Sequence, residues 1–108
     1  MALVTFNDST ILDSYVIDEM AKVLYQLADE KRKTQIILNF SRVKSLSSSA
    51  LGVLVNLRKR LSAKNGLLAL CGIAPEIRKI FSITQLEKDF TFFDNDKAAM
   101  KAFNIRLD

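Results

Sequence analysis

The stretch Val43-Lys44-Ser45-Leu46-Ser47-Ser48-Ser49-Ala50-Leu51-Gly52-Val53-Leu54 joins an apolar, strand-like region to an amphipathic helix through a run of serines. Small hydroxyl residues directly ahead of a helical apolar pattern are N-cap material, because a serine oxygen accepts from backbone N–H groups that the first turn leaves free. At least one of Ser47, Ser48 and Ser49 is therefore expected to cap. The same free N–H groups and the helix dipole favour added negative charge, so a serine displayed there also suits a phosphoryl group. Residue chemistry alone leaves both roles open.

Helical periodicity follows at once. Ala50, Val53, Leu54, Leu57 and Leu61 fall within one narrow stripe at about 100° per residue and are expected core. Leu51 and Val55 lie about a quarter-turn away, beside Arg58, and two readings of them stand. They form either the margin of a wide core face or a semi-exposed apolar strip on which a partner docks next to the serines. Gly52, Asn56 and Lys59 lie on the wet side. Lys64-Asn65-Gly66 supplies a residue able to turn left-handed and end the helix.

Upstream, Gln35-Ile36-Ile37-Leu38-Asn39-Phe40 is short, continuous and branched, the pattern of a central strand covered on both faces. Before it, Asp13 and Ser14 start a helix whose apolar residues, Ile17, Met20, Ala21, Leu24, Leu27 and Ala28, share one side. That helix is expected to run to about Lys31, with Lys22, Gln26, Asp29 and Arg32 toward water. Leu3–Phe6 and Thr10–Leu12, separated by Asn7-Asp8-Ser9, read as two antiparallel strands at one end of a sheet.

Downstream, Leu67–Cys71 is a strand, Gly72-Ile73-Ala74 a loop, and Pro75 the first position of a short helix to about Ser82. Asp89–Phe93 is the last strand, and Asp94-Asn95-Asp96 caps a final helix from Lys97 to about Phe103. Strands alternating with helices imply βαβ crossovers. The expected fold is α/β: a single domain over residues 1–108, with a four- or five-stranded mixed, mainly parallel sheet and about four helices packed against it.

The composition narrows the chemistry. At 108 residues, 49% hydrophobic and 26% charged, the chain can build one ordinary core. No apolar run approaches the roughly 20 residues of a membrane span, and no basic segment leads into a long apolar one. A cytoplasmic protein without a membrane role is expected. The chain has no histidine, the commonest general base and metal ligand. The serine run also lacks an S-x-x-K pair. Cys71 stands alone inside an apolar strand and reads as a small core residue. Neither an enzyme, a cofactor nor a metal site is expected.

The net charge of +4 and pI near 9.4 raise nucleic acid as a partner. The cations are nevertheless spread over Lys31–Lys33, Arg58–Lys64 and Arg78–Lys79, with no aromatic side chains interleaved to stack bases. They read as solubility charge, and no direct nucleic-acid contact is expected.

From Asn39 to Leu54 the pattern Asn-Phe-Ser-x-Val-x-x-Leu-Ser-Ser-Ser-Ala-Leu-Gly-Val-Leu resembles the signature of STAS domains, the anti-sigma factor antagonist family. The spacing of flanking helices and strands extends that resemblance over nearly the whole chain. It implies partner switching: the unmodified protein binds an anti-sigma factor that is itself a serine kinase, and phosphorylation by that kinase releases it, with a phosphatase as a further partner. Carried over by position, the phospho-acceptor is Ser48, ahead of its neighbours Ser47 and Ser49. The partner surface expected around that serine, read from the corner and the helix face rather than from the resemblance, comprises Ser47, Ser48, Ser49, Leu51, Gly52 and Val55. Arg42 and Lys44, just before the corner, either join it by neutralising a phosphate or meeting an acidic partner, or are simply solvated loop cations.

Three positions depart from the family pattern. Ala50 replaces a common glycine and raises helix propensity. Asn39 replaces a common aspartate, and its amide still caps or bridges without charge. Ser47 replaces another aspartate, which lessens repulsion on a neighbouring phosphate and removes a group that a kinase can read. These changes sustain a second reading, a constitutive, unphosphorylated binding or scaffold module in a signalling complex.

Overall fold

Ile36, Ile37 and Leu38 have no solvent exposure, because the strand that carries them lies inside a sheet covered on both faces. The computed structural model describes residues 2–7, 9–11, 13–29 and 34–107, and side chains through Phe103. In chain order the elements are β1 (Ala2–Thr5), β2 (Thr10–Ile11), α1 (Ser14–Asp29), β3 (Gln35–Asn39), β4 (Ser45–Leu46), α2 (Ser48–Ser62), β5 (Leu67–Cys71), α3 (Pro75–Ile83), a 3-10 turn (Glu87–Asp89), β6 (Thr91–Phe93) and α4 (Asp96–Leu107).

The main sheet has the order β1-β3-β5-β6, with every pair parallel and with Val4, Leu38 and Leu70 in line across its first three strands. Alternation along the strands divides the core. Ile36, Leu38 and Leu70 join the large cluster that α1, α2 and α3 cover, whereas Ile37, Ala69 and Cys71 pack with Ala99 and Phe103 of α4. Burying a large apolar side chain contributes about 1.5–3 kcal/mol. The fully covered Leu24, Leu54, Leu57 and Phe81 therefore bind the helices to the sheet.

The expected antiparallel pair of strands at the N-terminus is not formed. Instead β1 pairs parallel with β3, and β2 pairs parallel with β4, a short ladder just ahead of the serine corner. The reason is long-range. Ser9 C=O accepts from the N–H groups of Lys44 (2.7 Å) and Ser45 (3.2 Å), and Ile11 and Leu46 are both buried. Folding β2 back on β1 would forgo those partners. Leu12, expected in that strand, lies outside the described residues.

On α1 the buried residues are Ile17, Met20, Leu24 and Ala28, with Ala21 and Leu27 half-buried and Lys22, Gln26 and Asp29 exposed. Asp13 Oδ1 accepts from Tyr15 N–H at 2.7 Å and caps the start. The expected continuation to Lys31 and the outward position of Arg32 lie outside the described residues.

After α2 the left-handed residue is Asn65, at φ 58°, and Gly66 follows it. Pro75 occupies the first position of α3, and the 3-10 turn takes Asp89, so β6 starts two residues later than expected. Asn95 Oδ1 accepts from Ala98 N–H at 2.8 Å, and α4 runs beyond Phe103 to Leu107. Two cations serve packing: Arg60 pairs with Asp29 and stacks on Tyr25, while Arg78 stacks on Phe92 and pairs with Glu87 at 3.2 Å. Among the described residues, no helix is long and apolar enough to cross a membrane.

Candidate functional site

Ser47 is extended, at φ −84° and ψ 164°, and is bound on three sides. Its N–H donates to Ile11 C=O at 3.0 Å, its C=O accepts from Leu51 N–H at 3.1 Å, and its Oγ accepts from Ala50 N–H at 3.2 Å. It is the N-cap of α2. Ser48 is consequently the first helical residue and Ser49 the second, and both are exposed. Among the described residues, the N–H groups of Ser48 and Ser49 have no hydrogen-bond partner, as first-turn geometry dictates. The first turn carries no acidic side chain. The corner therefore presents two free hydroxyls over the positive end of a fifteen-residue helix.

The turn before the corner is built from one side-chain bond and two main-chain bonds. Asn39 Oδ1 accepts from Ser41 N–H at 2.9 Å, Phe40 N–H donates to Cys71 C=O, and Val43 N–H donates to Phe40 C=O. Val43 and Leu46 are buried, so Arg42 and Lys44 point outward and are exposed. Arg42 Nη1 lies 3.4 Å from Asn7 Oδ1. Sequence reasoning missed this flank: Asn7 and Ser9 border the serine corner through Arg42, Lys44 and Ser45. The polar run Asn7-Asp8-Ser9 marked a turn, but nothing local pointed to its destination. Gly72 closes the other side at φ +67°, where a Cβ would lie 3.0 Å from Ser41 Cβ.

Of the expected partner-surface residues, the structure brings Ser48, Ser49, Gly52, Arg42 and Lys44 to the exterior, with Ser47 and Val55 half-buried. Leu51 departs from the semi-exposed strip. It is only 3% exposed and belongs to the core, because the apolar face of α2 is wide enough to take in Ala50, Leu51, Val53, Leu54 and Leu57 together. Val55 packs partly against that core as well.

Cys71, at the end of β5, is fully covered; burial first and the Asp96 carboxylate second push its thiol pKa up. Among the described residues, no group of three or more histidine, cysteine, aspartate or glutamate side chains is placed to hold a metal ion.

The STAS domain family profile matches residues 3–99. The chain is 22% identical over 94 residues to the anti-sigma F factor antagonist of Paenibacillus polymyxa, covering 87% of this chain and 80% of that protein. It is 30% identical over 78 residues to BtrV of Bordetella bronchiseptica, described as an anti-sigma factor antagonist, covering 72% of this chain and 67% of that one. Among solved structures, the anti-sigma factor antagonist SpoIIAA in its unphosphorylated form superposes with a TM-score of 0.79 at 20% identity, over 94% of this chain and 87% of that one. The phosphorylated form of the Bacillus protein superposes at 0.72 and 20% identity, over 93% and 88%. At that identity the two structures establish the shared fold.

Proposed function

The chain belongs to the STAS domain family, and on that premise we propose that it is an anti-sigma factor antagonist that works by partner switching. It binds an anti-sigma factor that is a serine kinase, and phosphorylation of Ser48 by that kinase releases it. A phosphatase returns it to the binding form, and the exchange takes place in the cytoplasm.

The observation that carries this reading is the division of labour between adjacent serines. Ser47 holds the helix start through its Oγ, which leaves the Ser48 hydroxyl exposed beside unpaired N–H groups. A phosphate of about −1.5 to −2 charge there meets a favourable dipole of about 0.3–1 kcal/mol, so the domain stays folded. In a desolvated interface the same charge costs several kcal/mol, about a 10²- to 10³-fold loss of affinity. The fold common to SpoIIAA in both forms supports a switch of this kind. Arg42 and Lys44 give the corner a positive border suited to an acidic partner or to the new phosphate.

Incubation with ATP and the anti-sigma factor kinases of the source genome, followed by site mapping, should place phosphate on Ser48. Ser48→Ala should bind the unphosphorylated protein's partner and Ser48→Asp should not. Equal binding by wild type and Ser48→Asp would refute the switch.

A constitutive binding module is the second reading, favoured by the uncharged Ser47 and Asn39. Both make their structural hydrogen bonds without a carboxylate. Partner binding with no kinase-dependent phosphate on any of the three serines would establish it.

A further inference from the structure

Glycine occurs three times in the chain, and the fold explains two of them. A Cβ at Gly66 would lie 2.5 Å from Thr34 C=O, and Gly72 has φ +67°. Gly52 has neither reason. It sits inside α2, is exposed, and among the described residues an added Cβ would meet nothing within 4 Å. Glycine inside a helix is destabilising relative to alanine, and here the chain gains nothing in return from its own packing.

Gly52 lies one turn beyond Ser48 on the same face of the helix. Asn56 and Lys59 continue that exposed face. The surroundings are positive: α2 contains no acidic residue, and among the described residues no carboxylate pairs with Arg42, Lys44 or Lys59.

We infer that Gly52 is where the main chain of the anti-sigma factor comes closest to α2, and that the approaching segment carries carboxylates that meet Arg42, Lys44 and Lys59. The inference rests on the antagonist reading and adds the position that sets the fit of that interface. A side chain at 52 holds the partner's backbone away from the helix and opens a gap over Ser48, one turn earlier. Phosphate on Ser48 and bulk at 52 thus act on the same contact, one by charge and the other by shape.

The test measures thermal stability and affinity together for wild type, Gly52→Ala, Gly52→Leu, Ser48→Asp and the control Gln26→Ala on the exposed side of α1, against each purified anti-sigma factor kinase of the source genome. Gly52→Ala should raise Tm by roughly 2–8 °C through helix propensity. Its Kd should nonetheless weaken several-fold, and Gly52→Leu should weaken Kd by about 10- to 100-fold, the range of overpacking a close contact. Gln26→Ala, away from the proposed contact, should stay within about threefold of wild type. Stability and affinity moving in opposite directions is an outcome that an internal structural role does not produce.

Gly52→Leu binding within about twofold of wild type, with Ser48→Asp still defective, would overturn this inference and leave the antagonist reading standing. A fall in Tm of Gly52→Ala would also overturn it, since the glycine would then serve the fold. Wild-type protein that binds none of these kinases would overturn both.

Discussion

Ser47 Oγ accepts the N–H of Ala50 at 3.2 Å, and by doing so leaves Ser48, the next residue, free at the helix start. Two chemically identical side chains, adjacent in sequence, thereby acquire different roles. One has its oxygen engaged with the backbone and lies half-buried, while the other faces solvent.

Ser47→Ala should therefore destabilise the domain by about 1 kcal/mol, the loss of a capping hydrogen bond. That corresponds to roughly 4–8 °C in Tm. Ser48→Ala and Ser49→Ala, which remove exposed hydroxyls without a partner among the described residues, should each stay within about 0.5 kcal/mol of wild type. Chemical denaturation of the three variants checks the contrast, and equal effects at all three positions would contradict the cap geometry.

At the end of α2 the order Asn65-Gly66 places the glycine where space is short, with the left-handed backbone on asparagine. Gly66→Ala brings its methyl group against the main-chain oxygens of Thr34 and Leu61 and should cost about 1–3 kcal/mol. Asn65→Gly relieves a positive φ and should be neutral or slightly stabilising. Urea midpoints for the two variants should shift in unequal measure, with Gly66→Ala the more harmful; a larger loss at Asn65 would reverse the assignment.

The raised pKa of Cys71 predicts a pH dependence. Because the folded thiol binds its proton more tightly than the unfolded one, its contribution to stability is complete below the unfolded value, about 8.5. That contribution falls as pH rises through the higher folded value. Cys71→Ala should remove this part of the alkaline decline, which is read as a shallower stability slope above about pH 8.5 than in wild type. The thiol of the folded domain should also react slowly with a thiol reagent at neutral pH, since it is both covered and protonated.

Most of the fold was legible along the chain. The stripe Ala50, Val53, Leu54, Leu57, Leu61 and the run Ile36-Ile37-Leu38 each announced an element and its buried face, because burial imposes a period on the sequence itself. The same applies to Pro75 at a helix start and to the hydroxyl residues at the corner, whose conformational effects act over a few residues. From these residues alone, a mixed, mainly parallel sheet with helices between its strands followed.

Tertiary structure decided the rest. Thr10-Ile11 has the same local character whether it pairs back on β1 or crosses to Ser45-Leu46, and the choice lay with Ser9 C=O, Ile11 and the distant Lys44. Leu51 sat at an angle on α2 that both core and surface accept, and only the breadth of the packed face placed it inside. Which of three serines caps depended on where the backbone turned helical, one residue after Ser47 N–H met Ile11 C=O. What has a short-range physical cause could be read along the chain: the periodicity, the need for a cap at the corner and the small residues that could supply it. Pairing, register and the exposure of each corner side chain required the whole chain, because they depend on contacts between residues far apart in sequence whose identities do not reveal their partners.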